Sequence, residues 1–247
     1  MVDRQFADAR LASLYDAFHP WEPRGDLAFY LPLVMSSNAV LDVGCGTGTL
    51  LHRAREAGHA GHLCGLDPGR GMLEHARQRA DIEWVLGDLA ATDWDQEFDL
   101  VVMTGHAFQV FVEDDELRAA LAAIRTALTQ DGCFAFETRN PSARAWERWT
   151  PGNAVEATDT SGAVVRMEHD VDTPVDGDRV SFTTTFTSPE WDQPEVSRST
   201  LRFLDASSLS SFLSAAGLAI EEQFGDWDRQ PLTRTSPEII TIARRVS

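Results

Sequence analysis

Between residues 39 and 140 the chain alternates two hydrophobic rhythms. Short, nearly unbroken apolar runs lie at 39–44, 62–67, 82–86, 98–103 and 132–138. Their length and β-branched content predict strands buried on both faces. Between them, stretches at 48–57, 70–80 and 114–129 carry apolar residues at helical spacing. In the last of these, Leu117, Leu121, Ile124 and Leu128 share one face. Strand and helix in alternation predict a parallel sheet flanked by helices on both sides. Right-handed crossovers then bring every strand's C-terminal end to one edge, where ligands bind.

The flanking segments read differently. Residues 3–18 predict one helix with Phe6, Leu11, Leu14 and Phe18 on its apolar face. His19-Pro20-Trp21-Glu22-Pro23 breaks it, and a second helix covers about 25–35, perturbed by Pro32. After Glu137, residues 141–162 read as irregular. Three alternating stretches near 163–173, 178–187 and 195–204 follow, joined by Pro/Gly/Asp turn signals. They predict an antiparallel meander inserted in the parallel domain. A helix at 206–216, with Asp205 as N-cap and Gly217 at its end, and two strands at about 218–224 and 237–244 close the sheet.

The chemistry concentrates where the first strand ends, in Val40-Leu41-Asp42-Val43-Gly44-Cys45-Gly46-Thr47-Gly48. Three glycines at alternate positions allow positive φ and let a ligand approach the backbone closely. A dinucleotide site wants its third glycine three places after the second, with pyrophosphate on the helix N-terminus. Here the spacing is two, and Asp42 would repel a pyrophosphate. The next strand ends at Leu66-Asp67, and the third at Gly87-Asp88-Leu89. Three acids at three consecutive strand ends suit an adenosine joined to a cationic tail: Asp67 for the ribose hydroxyls, Asp88 for the adenine amine, Asp42 for the positive charge.

Composition narrows the field further. The formal net charge is −18, from 39 acidic and 21 basic residues, and every basic residue is arginine. Phosphate-driven binding to nucleic acid or to an acidic membrane is disfavoured. The absence of lysine removes P-loop and Schiff-base chemistry. No apolar run reaches membrane-spanning length, and the N-terminus has no secretory core. Three cysteines without a C-x-x-C pair read as free thiols in a reducing compartment, so the expected location is the cytoplasm. The histidines at 52, 59, 62 and 75 lack zinc spacing, and no metal is expected.

These motifs resemble the class I S-adenosylmethionine-dependent methyltransferases over roughly residues 37–140, and again at the C-terminal strands. The resemblance is carried by 40–48, by Gly65-Leu66-Asp67 with Met72-Leu73, by Gly87-Asp88, by Phe98-Asp99-Leu100-Val101 and by Leu128-Thr129-Gln130-Asp131-Gly132-Cys133-Phe134. It implies an α/β, Rossmann-like, seven-stranded and mostly parallel sheet with helices on both faces and an inserted antiparallel β meander. Residues 1–36 would form an N-terminal helical lid, 37–145 and 205–247 the cofactor domain, and 146–204 a substrate cover. The implied cofactor is S-adenosyl-L-methionine, leaving as S-adenosyl-L-homocysteine. Gly44, Cys45, Gly46 and Gly48 would line its methionine part. Asp67 and Pro68 would meet the ribose, and Met72, Gly87, Asp88 and Leu89 the adenine. Met103, Thr104 and Gly105 would border the sulfonium. The segment Leu14-Tyr15-Asp16 with Arg24-Gly25-Asp26 is similar to the lid of small-molecule N-methyltransferases, aminosugar N,N-dimethyltransferases among them; this puts Tyr15 and Arg24 over the methionine carboxylate.

Methyl transfer from a sulfonium is an in-line displacement, helped chiefly by positioning and exclusion of water. A base is needed only to take the acceptor's proton. His106 and Glu137, just past the fourth strand and at the end of the fifth, are the candidates. Phe108, Arg139, Trp146, Arg166, His169 and Arg202 are candidate acceptor contacts. The expected partner is a small molecule bearing an amine or hydroxyl, with the protein a monomer or homodimer. The competing expectations are a non-catalytic S-adenosylmethionine-binding regulator and, disfavoured by the glycine spacing and Asp42, an NAD-dependent oxidoreductase.

Overall fold

The computed structural model describes residues 2–21 and 25–246. The chain opens in three short helices, α1 (Arg4–Ala7), α2 (Ala9–Ala12) and α3 (Tyr15–Phe18), not the one continuous helix the periodicity predicts. The first break is at Asp8. Its backbone is extended, and its carboxylate accepts from the amides of Arg10 and Leu11, so it caps the second helix instead of continuing the first. The apolar face survives the break: Leu11 and Leu14 pack with Val165, Met167 and Phe186. α4 (Gly25–Met35) follows and carries Pro32 inside it.

Next come β1 (Ala39–Val43), α5 (Thr49–Glu56), β2 (His62–Asp67), α6 (Arg70–Ala76), β3 (Glu83–Leu86), β4 (Phe98–Met103), α7 (Asp114–Ala127) and β5 (Leu128–Arg139). α6 stops earlier than its apolar pattern, and β5 begins four residues before the expected 132, directly from the end of α7. A second set of strands forms a sheet of its own: β6 (Val155–Thr158), β7 (Val164–Val171), β8 (Arg179–Thr187) and β9 (Glu195–Arg202), all antiparallel. β6 lies in the stretch read as irregular, so the insert has four strands where three were expected. Its burial is weak, which is why no hydrophobic alternation marks it in sequence. α8 (Ala206–Ala215), capped by Asp205 through the Ser208 amide, then leads into β10 (Leu218–Phe224) and β11 (Glu238–Arg245).

The main sheet has seven strands in the order β10-β11-β5-β4-β1-β2-β3. β1 to β5 are parallel, and β11 runs antiparallel to both β5 and β10. Strand alternation divides the core into two layers. Leu41, Val43, Val101 and Met103 face one side, with α7 and α8. Val40, Leu100 and Val102 face the other, with α4 and α5. β1 pairs with β2 on one flank and β4 on the other, so the order reverses at its C-terminal end. That switch point is where open α/β sheets bind ligands.

Candidate active site

The turn after β1 sits at this switch point. Gly44, Gly46 and Gly48 have φ of +74°, +57° and +79°, which L side chains adopt only with strain. The three serve different ends. A Cβ on Gly44 would lie 2.9 Å from the Ala107 methyl, and one on Gly48 would collide with the Trp84 ring; both are glycine because protein packs against them. A Cβ on Gly46 would meet nothing within 4 Å; it borders open space. The cleft there is lined by Tyr15, Leu27, Asp42, the glycine turn, Thr104 and Gly105, among others.

Asp67 ends β2 beside the turn and is 7 % exposed. Its Oδ2 accepts from the Gly46 amide at 2.8 Å and its Oδ1 from the Gly69 amide at 2.7 Å. Burial raises its pKa, and the two amide bonds pull it back down. Asp67 is thus a strut holding the glycine turn to the start of α6. Asp42 is buried on the cleft wall. Cys45 is buried there too, its thiol pushed well up by burial and by the charges of Asp42 and Asp67. Farther along the strand ends, Asp88 is exposed and caps a short 3₁₀ turn through the Ala90 amide at 3.1 Å. Gly87 is half-buried and Pro68 exposed. Met72, Leu89 and Met103 are core residues, 2 %, 5 % and 1 % exposed.

Directly after Gly105, His106 is in the left-handed region, with φ 63°. Its backbone amide donates to Glu137 Oε1 at 2.7 Å, and its Nε2 lies 3.0 Å from Glu238 Oε2. Glu137 is fully buried, and its Oε2 accepts from the Tyr30 hydroxyl. Burial raises the Glu137 pKa against the opposing pull of His106 and Tyr30. Both of its oxygens are committed, so Glu137 is a buttress for the His106 loop and not an open base. Glu238, which the sequence reading missed, is the carboxylate that meets the imidazole. Burial pushes its pKa up to about 7, with Arg139 pulling the other way. The only signal for it in sequence was an acid heading the last apolar strand. Arg139 is its direct cross-strand partner.

Several expected acceptor contacts lie elsewhere. Phe108 is 2 % exposed and stacks on Phe136 with centroids 4.2 Å apart, so it is core. Arg166 is on the outer face of β7, exposed and paired with Glu168. Arg202 pairs with Asp178 inside the insert at 2.7 Å and ties the insert to α7 through Asp114 at 2.8 Å. Trp146 packs edge-on to Phe203 and lines a second cavity beside α8. His169, in contrast, faces inward, bonded through Nδ1 to Thr184 Oγ1 at 3.0 Å and near Trp149. The arginine at 24 lies outside the described residues. Tyr15 does reach the cleft, stacked on His19 at 4.5 Å. The neighbouring Asp16 accepts from Thr47 Oγ1 at 2.7 Å and fastens the N-terminal segment onto the glycine turn. Among the described residues, no group of three or more His, Cys, Asp and Glu is placed to hold a metal ion. All three cysteines are free.

Residues 40–132 match a family described as a methyltransferase domain. A malonyl-[acyl-carrier protein] O-methyltransferase of Anoxybacillus flavithermus is 29% identical over 131 residues, which is 51% of this chain and 50% of that protein. The chain therefore spans about half the length of this curated relative. Among solved structures, an S-adenosylmethionine-dependent methyltransferase from Clostridium acetobutylicum superposes with a TM-score of 0.76 at 16% identity, covering 96% of this chain and 98% of the other. The sugar N-methyltransferase KedS8 from Streptoalloteichus gives 0.71 at 19%, covering 94% and 93%. The fold is that of the class I S-adenosylmethionine-dependent methyltransferases, with the inserted antiparallel sheet included in the match.

Proposed function

We propose that this chain, with its methyltransferase domain at residues 40–132, transfers a methyl group from S-adenosylmethionine to a small-molecule amine or hydroxyl and releases S-adenosylhomocysteine. The observation that carries the reading is Gly46. It is held at positive φ by Asp67, with open space where a side chain would stand and a buried carboxylate, Asp42, on the wall behind. That cradle fits a cationic nucleoside and not a pyrophosphate. Asp67 keeps lone pairs for a ribose while bracing the turn. Met72 and Leu89 form the apolar floor for adenine, with Asp88 at its edge, and Tyr15 closes the methionine end.

When bound, the cofactor supplies an electrophilic methyl group on a sulfonium. The protein's share is to align the acceptor, keep water out and remove one proton. His106 stands past Gly105 on the acceptor side. A proton taken from the acceptor goes to the His106–Glu238 pair, whose Nε2 and Oε2 lie 3.0 Å apart, and the pair shares it when Glu238 is ionised beforehand. Glu137 acts through His106 by fixing its backbone. We further place the protein in the cytoplasm, acting as a monomer or homodimer on a diffusible substrate and not on nucleic acid. Its net charge of −18 supports this, and among the described residues no helix is long and apolar enough to cross a membrane.

Calorimetric titration with S-adenosylhomocysteine tests the reading. The wild type is expected to bind, and Gly46→Val, strained at this φ and therefore assayed well below its lowered Tm, to lose binding because the new side chain enters ligand space. Equal affinity in the two would refute it. Cofactor binding without turnover on pooled amine and hydroxyl acceptors would identify a regulator in place of an enzyme.

A further inference from the structure

We infer that the acceptor carries an oxyanion, a carboxylate or a phosphate, and that Arg139 receives it; this rests on reading the space beyond His106 as the acceptor pocket. Arg139 ends β5 next to Glu238. Its Nη1 donates to Gln109 Oε1 at 2.9 Å. Gln109 is 1 % exposed, and its own amide donates to the Arg202 carbonyl at 2.9 Å, so the guanidinium is aimed by a fixed group. The Trp149 ring lies 5.2 Å from its centre. Among the described residues no carboxylate comes within 4.0 Å of it. The two nearest acids are engaged elsewhere, Glu238 by His106 and Glu137 by Tyr30 and the His106 amide.

A guanidinium has five donors in a planar fork that matches carboxylate and phosphate oxygens two at a time. Here one donor is spent on a neutral amide. Burial lowers the Arg139 pKa, and Glu238, Glu137 and Tyr15 only partly oppose it from a distance. Leaving a desolvated cation without a direct counter-charge is destabilising, and an anionic ligand removes that penalty. On the insert, burial lowers the His169 pKa, and His19 and Arg139 lower it further, so this imidazole adds a hydrogen-bonding group and not a second charge.

The indole N–H signal of Trp149, assigned with Trp149→Phe, reports on this spot. Sodium acetate and sodium phosphate are titrated to about 100 mM at constant ionic strength, a range that saturates a millimolar site. At least one anion is expected to give a saturable shift, lost in Arg139→Gln and retained in Arg139→Lys. Acetate alone points to a carboxylate acceptor, phosphate alone to a phosphorylated one. No saturable shift with either, or the same shift in Arg139→Gln, overturns the assignment. S-adenosylhomocysteine titrations of the same samples keep the two readings apart. If the anion binds and the nucleoside does not, the methyltransferase reading fails and the anion site stands. In turnover, acids are expected to be methylated at least about tenfold faster than their matched neutral amides or alcohols, a difference of about 1.4 kcal/mol, and Arg139→Gln to erase the preference.

Discussion

Asp67→Ala removes a strut and a proposed ligand contact at once, and the two losses are separately measurable. In the native chain its carboxylate accepts two backbone amides, at 2.8 Å from Gly46 and 2.7 Å from Gly69. Hydrogen bonds to a charged group contribute about 1.5–3 kcal/mol each, so the gross loss is about 3–6 kcal/mol. Two effects reduce it. Burying the carboxylate is itself unfavourable, as its raised pKa records, and water reaches the half-buried Gly46 amide once the side chain is gone. The Gly69 amide is buried and stays unsatisfied. A net destabilisation of about 2–4 kcal/mol follows, or about 5–15 °C in Tm for a chain of this size. Urea unfolding followed by tryptophan fluorescence reads it. Calorimetry with S-adenosylhomocysteine, run where the variant is folded, is expected to show a further loss of about 1–3 kcal/mol in affinity. Asp67→Asn keeps one acceptor oxygen and should fall between. An unchanged urea midpoint in Asp67→Ala would refute the strut. A lowered midpoint with an unchanged dissociation constant would refute the ribose contact.

Glu238 makes stability depend on pH. Its folded pKa of about 7 lies above the ordinary glutamate value of 4.5, so the folded state holds a proton that the unfolded chain releases. Stability is therefore expected to fall as pH rises from about 4.5 to about 7, by at most about 3 kcal/mol, and Glu238→Gln to flatten that slope; a slope of opposite sign in the wild type refutes it. Arg202→Ala should loosen the insert by about 1–2 kcal/mol, since its two carboxylate partners are exposed enough to rehydrate. Hydrogen exchange should quicken in β9 with the Michaelis constants unmoved, and a raised acceptor constant would return Arg202 to the pocket.

The glycine turn, the acids at the strand ends and the seven strands of the main sheet were legible because each is written locally. A buried parallel strand is an apolar run, and a turn at positive φ needs glycine. Side-chain facing is not legible where the deciding partner is distant. Phe108, Arg166 and Arg202 were placed on the acceptor because they lie near strand ends or in the cover, but which face each presents is set by packing against Phe136, Glu168 and Asp114. Glu238 reaches His106 only through the register of β11 on β5, a pairing that no local pattern records. Asp8 broke an apolar periodicity that was otherwise sound, because a cap formed by its side chain outcompeted one more turn of helix.

The N-terminal segment grips both halves of the molecule. Asp16 clasps Thr47 and Thr49 of the glycine turn, while Arg4, Asp3 and Phe18 hold Glu195, Ser199 and Phe186 of the insert. It is a door latched to both jambs. Swinging it clear would uncover the glycine turn and loosen the insert in one event, so release at the proposed nucleoside site and release at the insert are expected to be coupled.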